Sequence, residues 1–484
     1  MKQTLTRTVV IGAGIAGSWL AYRLAQWGVP VVLLTAPHED TPNVSLGAAT
    51  VFHRRLVDDP SPEDIAAAFA DETATQHPEL RPLLTDHLAS EFAELSELVP
   101  FQTLETMVIP RHPVPFPRLG AGGVVISVLH DQIRAYGGTI MCGRVTDLLV
   151  EDGICRGVAY SADGQPGIVQ AGATVLASGG YSGLMRHAPT PNSGSMLGIF
   201  AAAGGALTNL EFSQRHALGD RSAGRVLYPP DLAGAQFYRD GQRAVWLERA
   251  YHTLPEERRD LDIFQQYWRH NGHIPHELRR GETRHEIGPV YGLSMGGAAH
   301  TGGATNLAGV YALGEARHDI AANSILGRPW ATYLSSAGLL ADTLRELPDQ
   351  QMPETFSVPA RSVEVSAELR REVRERLHAF EDHRFSEGAV QAFVQWCRTT
   401  RRSLPAEFNG SAGVLILAES YALSALSRRE SRGYFYRADF PTADPALSGL
   451  RTVARYDSSA DEVSVELVAN IAGTKVPVEV GSAR

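Results

Sequence analysis

Apolar and polar positions along this chain switch between two rhythms. Thr8 to Ile11 is a short apolar, β-branched run, and a glycine-rich turn follows it. Ser18 to Gln26 then has helical spacing and ends near Gly28, and Val29 to Leu34 is a second apolar run of strand length. Such a strand–turn–helix–strand opening predicts parallel strands. Pro37 to Pro42 is turn-rich. Ser61-Pro62-Glu63-Asp64 has the chemistry of a helix start, with a Ser cap, Pro in the first turn and acids behind it; helical patterning continues to about Val99. Residues 105–123 are rich in Pro and Gly and read as a cofactor or active-site loop before a helix over Val124 to Tyr136. Val145 to Val150 and Ile154 to Tyr160 read as two strands around the turn Glu151-Asp152-Gly153, and Ala173 to Ala177 as a buried strand.

From about 217 to 284 the pattern becomes polar and charged with scattered aromatics, which predicts a small inserted domain. Strand-like, glycine-rich sequence returns around Pro289. Residues 364–432 read as helical, and 446–484 as β-like or irregular. Gly12, Gly14 and Gly17 have the G-x-G-x-x-G spacing between strand and helix. The first allows the tight turn, the second lets backbone approach a pyrophosphate, and the third lets helix and strand pack closely. The amides at Ile15 and Ala16 open the helix and face phosphate charge. The expected fold is therefore α/β, with a Rossmann-type dinucleotide-binding domain in two parts, 1–216 and 285–350. An α+β capping domain is inserted at 217–284, a C-terminal helical domain spans 364–440 and a tail spans 441–484.

Composition narrows the function. The 484 residues suffice for more than one domain, and a net charge of -10 opposes nucleic-acid or anionic-membrane binding. Cys142, Cys155 and Cys397 lie far apart with no CxxC pair, so no metal or iron–sulfur site is expected. No uninterrupted apolar stretch is long enough to span a bilayer and no leader precedes the first strand, which predicts a cytoplasmic chain.

Further motifs follow in order. Val175-Leu176-Ala177-Ser178-Gly179-Gly180 is a strand end with glycines. Leu210-Glu211-Phe212-Ser213-Gln214-Arg215-His216, Gly309-Val310-Tyr311-Ala312-Leu313-Gly314-Glu315 and Ala321-Ala322-Asn323-Ser324-Ile325-Leu326 come next, and Arg428-Arg429-Glu430-Ser431-Arg432-Gly433 continues to Pro441. Together with the opening turn, this series resembles the succinate dehydrogenase, fumarate reductase and L-aspartate oxidase flavoproteins, most of all L-aspartate oxidase. The resemblance implies FAD, held by Gly12, Gly14, Ile15, Ala16, Gly17, Thr35, Ser45, Gly47, Val145, Ser178, Gly179, Gly180, Gly314, Glu315, Asn323, Ser324, Ile325 and Leu326. Thr35 stands where the second strand usually ends in a ribose-binding acid, a departure shared with L-aspartate oxidases. The dehydrogenases attach FAD through a His in a loop that matches Thr41 to Ala49; that stretch has no His here, and His38 lies too early, so the expected FAD is non-covalent.

The substrate side departs further. Where the family holds a carboxylate with a His, this chain has Gly292 beside Tyr291; where it uses an Arg, Asp319 stands, with Arg317 and His318 nearby. A closed carboxylate site favours a bidentate guanidinium, so the usual dicarboxylate pose is not expected. His216 and Gln214 are kept, and Arg215 replaces a Phe and adds an anion contact. The family's proton-donating Arg matches Arg258 in Pro255-Glu256-Glu257-Arg258, and Arg118 matches an Arg of the loop before the next helix. The Glu430–Pro441 segment, with Phe435 in place of the family's His, reads as structural. The implied function is an FAD-dependent oxidoreductase transferring hydride to or from a small polar acid such as a modified amino acid. Alternatives are an enoate reductase or dehydrogenase of fumarate reductase type, and a flavin-binding protein without its own turnover. The implied partner is a small-molecule substrate, with no nucleic acid and no membrane span; a homo-oligomer is left open.

Overall fold

Strand β1 (Lys2–Ile11) begins exposed and ends fully buried, because the apolar Val9, Val10 and Ile11 follow a polar opening. In this computed structural model, which describes residues 2–36, 45, 52–58, 61, 63, 79–104, 107–111, 121–188, 190–222, 225–227, 232, 234–254, 259–269, 277–317, 328–348, 361–380 and 385–470, β1 is an inner strand of a nine-stranded sheet. Helix α1 (Ile15–Gln26) carries the chain across to β2 (Val31–Thr35), which pairs with β1 in parallel. Beyond β2 lies β3 (Thr139–Cys142). On the other side of β1 lie β4 (Gln165–Leu176) and β7 (Val310–Ala312), all parallel. This order is the α/β arrangement expected of a βαβ opening. The strands Arg144–Glu151 and Ile154–Ala162 form the expected hairpin, turned by Asp152 and Gly153 at positive φ.

Ten of the twelve residues of α1 are buried, since apolar side chains surround it. It packs against the helix Ala121–Ala135 and against α4 (Arg328–Glu346), which in turn packs on α2 (Leu80–Leu98). Of the helix expected from Ser61 to Val99, the described part is α2 and isolated points near its start; residues 64–78 lie outside the described residues. Glu91 of α2 is buried between these helices, accepting hydrogen bonds from Trp19 and Arg23, with Gly338 of α4 leaving room for its carboxylate.

The polar segment folds as a second sheet of six strands with β5 (Ser213–Asp220) and β6 (Thr283–Ser294) adjacent and antiparallel near one edge. Helix α3 (Arg259–Arg269) packs on β5. The C-terminal part holds α5 (Ala367–His378), α6 (Glu387–Ser403) and α7 (Asn409–Ser427), the first two capped by Ser366 and Ser386. Its end, read as β-like or irregular, is a hairpin of β8 (Leu450–Asp457) and β9 (Glu462–Ala469). Helix α7 is long and apolar enough to cross a membrane, but most of it is buried inside the protein. Its Glu419 is fully buried there and paired with Arg398 and Arg401 of α6.

Candidate active site

The turn after β1 is built for close approach. Gly12 has φ +112°, and a Cβ there would collide with the carbonyl of Ala177 at the end of β4. Gly17 is pressed against the Gly12 carbonyl, and Gly314 against Ala16. Gly14 is the N-cap of α1 and supplies no side-chain cap; the Ile15 amide donates to Ser45 Oγ at 3.2 Å. Thr35 stands one residue past the point where the Gly12 amide donates to the Leu34 carbonyl, and its own carbonyl accepts from Gly143, two residues before Val145. The structure thus brings together Gly12, Gly14, Ile15, Ala16, Gly17, Thr35, Ser45, Val145, Ser178, Gly179, Gly180, Gly314 and Glu315. Gly47 and Asn323 to Leu326 lie outside the described residues.

Opposite this turn sits a buried carboxylate. Glu315 Oε1 accepts from the Ser294 amide at 2.9 Å and the Ser294 hydroxyl at 2.8 Å, while the Tyr181 amide donates to that same hydroxyl. Burial pushes the Glu315 carboxyl above its ordinary value, and hydrogen bonds from Ser294 and Gly180 pull it back. A Cβ on Gly180 would overlap Ser294 and lie 2.6 Å from Glu315 Oε1. Helix terminus, glycine cradle and buried acid fit a dinucleotide cofactor with a hydroxylated chain, because each offers backbone or an acceptor where bulk is excluded. Ser294 was not singled out from sequence; its role depends on β6 ending against Gly180, which no local pattern reports.

Ser294 closes β6, which pairs with β5 from Ile287 to Ser294. Arg215 pairs with Tyr291 and His216 with Val290. A Cβ on Gly292 would lie 2.6 Å from His216 Nε2 and 3.6 Å from Gln214 Oε1, so Gln214 and His216 share the face of the ladder above Gly292. The imidazole thus fills the space that a side chain at 292 would take. Arg215 is on the other face. Its guanidinium lies 4.6 Å from the Tyr291 ring and 5.6 Å from the ring of Phe264 on α3, and it is buried there. The structure therefore does not bring Arg215 to the face of His216, because neighbours along a strand point to opposite sides. Arg258, Arg118, His318 and Asp319 lie outside the described residues. Arg317 and His300 are buried beside the short strands after β6.

The start of β5 is fixed from far away. Arg428 Nε donates to Glu211 Oε1 at 2.6 Å and Nη1 to Glu430 Oε1 at 2.9 Å, all three side chains being fully buried. Arg432 closes on Glu430, and Thr452 Oγ1 donates to Glu211 Oε2. Phe435 packs edge-on against Phe212, with ring centroids 6.0 Å apart. The segment after Arg428 is thus a structural clasp on the strand that carries Gln214 and His216. Glu211 is a further residue whose importance only the fold reveals.

Residues 7–272 match the FAD binding domain family, and residues 407–481 match the fumarate reductase flavoprotein C-terminal family. The chain belongs to the succinate dehydrogenase and fumarate reductase flavoprotein family. This flavoprotein is an FAD-dependent oxidoreductase. It is 25% identical over 403 residues to L-aspartate oxidase of Bacillus subtilis, covering 69% of this chain and 70% of the relative. It is 24% identical over 470 residues to L-aspartate oxidase of Pyrococcus abyssi, covering 89% and 95%. Its fold resembles that of the FrdA chain of E. coli quinol fumarate reductase, with TM-score 0.75 at 17% identity over 98% of each chain. It also resembles Mycobacterium smegmatis Sdh1, with TM-score 0.72 at 19% identity over 99% of this chain and 96% of that one.

Proposed function

We propose that this flavoprotein oxidises a small polar acid, a modified amino acid or carboxylate, in the manner of an L-aspartate oxidase, on the face of β5 that carries Gln214 and His216. The observation that carries the reading is the seating of His216 over Gly292, 2.6 Å from where a Cβ would be. That face leads along β6 to Ser294, which holds Glu315 beside the glycine cradle. Similarity to L-aspartate oxidases from several bacteria and an archaeon supports the class.

FAD, when bound, supplies the hydride chemistry. The chain's own task is to orient the acid and handle its proton. The Gln214 carboxamide both donates and accepts, and fixes a polar group of the substrate. The His216 imidazole is placed to take or return a proton at Nε2. Gly292 leaves the site one imidazole where relatives of this family carry a second, so the acid is held differently from a four-carbon diacid. FAD is held non-covalently in this reading, since the matching loop Thr41 to Ala49 has no His. The substrate is the small-molecule partner, and the chain acts in the cytoplasm without a nucleic acid or a membrane span.

Anaerobic titration of the purified holoprotein with a panel of amino, hydroxy and dicarboxylic acids tests the proposal by bleaching of the flavin absorbance. At least one acid bleaches the flavin, and His216→Asn slows that step about 100-fold or more. Heat releases the flavin into solution. An enoate reductase of fumarate reductase type, the second reading, instead shows no bleaching by saturated acids and reoxidation of the reduced flavin by unsaturated ones. A flavin inert to every acid in both directions sinks the enzymatic reading.

A further inference from the structure

The entry to β5 is held from the cofactor side as well as by Arg428. Tyr181 is the first residue past the pair Gly179-Gly180, and its side chain is fully buried. The phenol donates to the Leu210 carbonyl at 2.6 Å and lies 3.5 Å from the Phe212 carbonyl. These two carbonyls flank Glu211, the residue that Arg428 grips through its side chain. The backbone end of Tyr181 belongs to the cradle. Its amide donates to Ser294 Oγ at 2.9 Å, and that hydroxyl donates to Glu315 Oε1 at 2.8 Å. A serine hydroxyl can accept and donate at once, so each bond reinforces the next. Glu315, Ser294, Tyr181 and Leu210 thus form one buried string from the cradle to the strand that carries Gln214 and His216.

The loop after β4 fixes the ring in place. Gly194 has φ +69°, and a Cβ there would lie 2.6 Å from Tyr181 Cβ and 2.4 Å from Leu417 Cδ2 of α7. Asn192 ties the same loop back on itself: its Nδ2 donates to the Ser178 carbonyl at 3.0 Å, and its Oδ1 accepts from the Gly194 amide at 3.2 Å. Burial, with Tyr421 and Glu211 nearby, pushes the phenol well above its ordinary value, so it stays a protonated donor. Ser294 also faces Ser213 across the ladder, which is a second route between β6 and β5 that does not pass through the phenol.

Resting on the reading of Glu315 and the glycine turn as the seat of the cofactor, we infer that Tyr181 is a positioning residue that transmits cofactor occupancy to the entry of β5. It acts through Leu210, four residues before Gln214. A filled cradle fixes Glu315, and Ser294 and Tyr181 carry that order to the turn ahead of the strand. With the cradle empty the same turn opens more often, and the face with Gln214 and His216 loses its single position.

Amide hydrogen exchange tests this on the full-length holoprotein and on the same chain stripped of flavin and refilled with FAD. In the wild-type protein FAD is expected to raise protection over residues 213–220 at least about tenfold, with less than about a twofold change in α6, which the string does not reach. Tyr181→Phe keeps the ring and the amide and loses the bond to Leu210. FAD still binds within about threefold of wild type, because the open turn is a minor state either way, yet the gain over 213–220 falls below about twofold. Ser294→Ala cuts the string one link nearer the cradle. With FAD saturating it gives the same loss over 213–220, which keeps the test in force if Tyr181→Phe does not fold. No FAD-dependent protection over 213–220 in the wild-type protein overturns the inference. So does a gain that survives Tyr181→Phe, which leaves the Ser213–Ser294 pair as the route, and so does an equal gain in α6, which marks general stabilisation. A stripped protein that takes up no FAD overturns the reading of the cradle itself, which sets that failure apart.

Discussion

The cofactor cradle and the substrate ladder are both floored by glycine, for different reasons. In the cradle, Gly12 lets backbone meet backbone at a positive φ and Gly180 lets a carboxylate and a hydroxyl close over the main chain. In the ladder, Gly288 and Gly292 clear space for an Arg and a His from the neighbouring strand. Cradle glycines serve a ligand whose phosphates and hydroxyls are constant, so they fall in a fixed local spacing. Ladder glycines make room for side chains that reach over from the opposite strand, and their meaning depends on which residue lies across the strand. The first kind is written locally; the second exists only once register is set.

The sharpest break in this comparison comes from the cradle. Gly12→Ala forces a side chain onto the Ala177 carbonyl in a backbone region that L residues avoid. The purified variant is expected to retain less than a tenth of the wild-type flavin, measured by absorbance after heat release. Retention of full flavin with Ala at this position overturns the assignment of the turn. A smaller loss is expected at the base of the ladder. Glu211→Gln leaves the fully buried Arg428 with Glu430 as its remaining acidic partner, and costs about 3 kcal/mol in chemical denaturation. Flavin content should stay near normal, since the cradle is untouched; flavin lost in proportion to stability would show the two regions to be one cooperative unit.

The last effect is tuned by pH. Burial pushes the Glu91 carboxyl up to about 7 from an ordinary 4.5, against the pull of Arg23 and the Trp19 hydrogen bond. Between those two values the folded chain keeps a proton that the unfolded chain has released, so this group's stabilising contribution falls as pH rises through that window. Glu91→Gln should flatten the dependence of the unfolding midpoint between pH 5 and 8, by no more than about 3 kcal/mol. Because Glu91 braces α1 beneath the cradle, flavin release should follow the same pH trend in the wild-type protein. A variant whose pH profile parallels the wild type would show that Glu91 does not titrate there.

Much of the fold is legible in the sequence because it rests on local signals. The opening βαβ unit, the hairpin at Asp152-Gly153 and the helical character of the C-terminal region follow from periodicity and turn residues. The Gly12–Gly17 turn and Glu315 sit in motifs of short range, and the structure gathers them. Arg215 stands in the motif where relatives have a Phe and reads as an anion contact beside His216, yet alternation along β5 turns it to the aromatic side, between Phe264 and Tyr291. Reading 213–220 as a strand would have separated them. The tail read as β-like or irregular pairs as a hairpin because β8 also finds Leu207–Thr208 as a partner, a contact no local pattern contains.

The clasp between Glu211 and Arg428 joins residues 217 positions apart. A chain that emerges from the ribosome from its N-terminus has made the whole cradle, and even both strands of the ladder, long before Arg428 exists. Until then Glu211 has no cation, and a buried acid without one is held open by its own hydration. Cofactor capture can therefore precede completion of the substrate face during synthesis, with non-local closure as the slow final event. A chain cut short just before Arg428 would be yellow and inert: the loss would register at the strand that carries His216, some two hundred residues upstream of the cut.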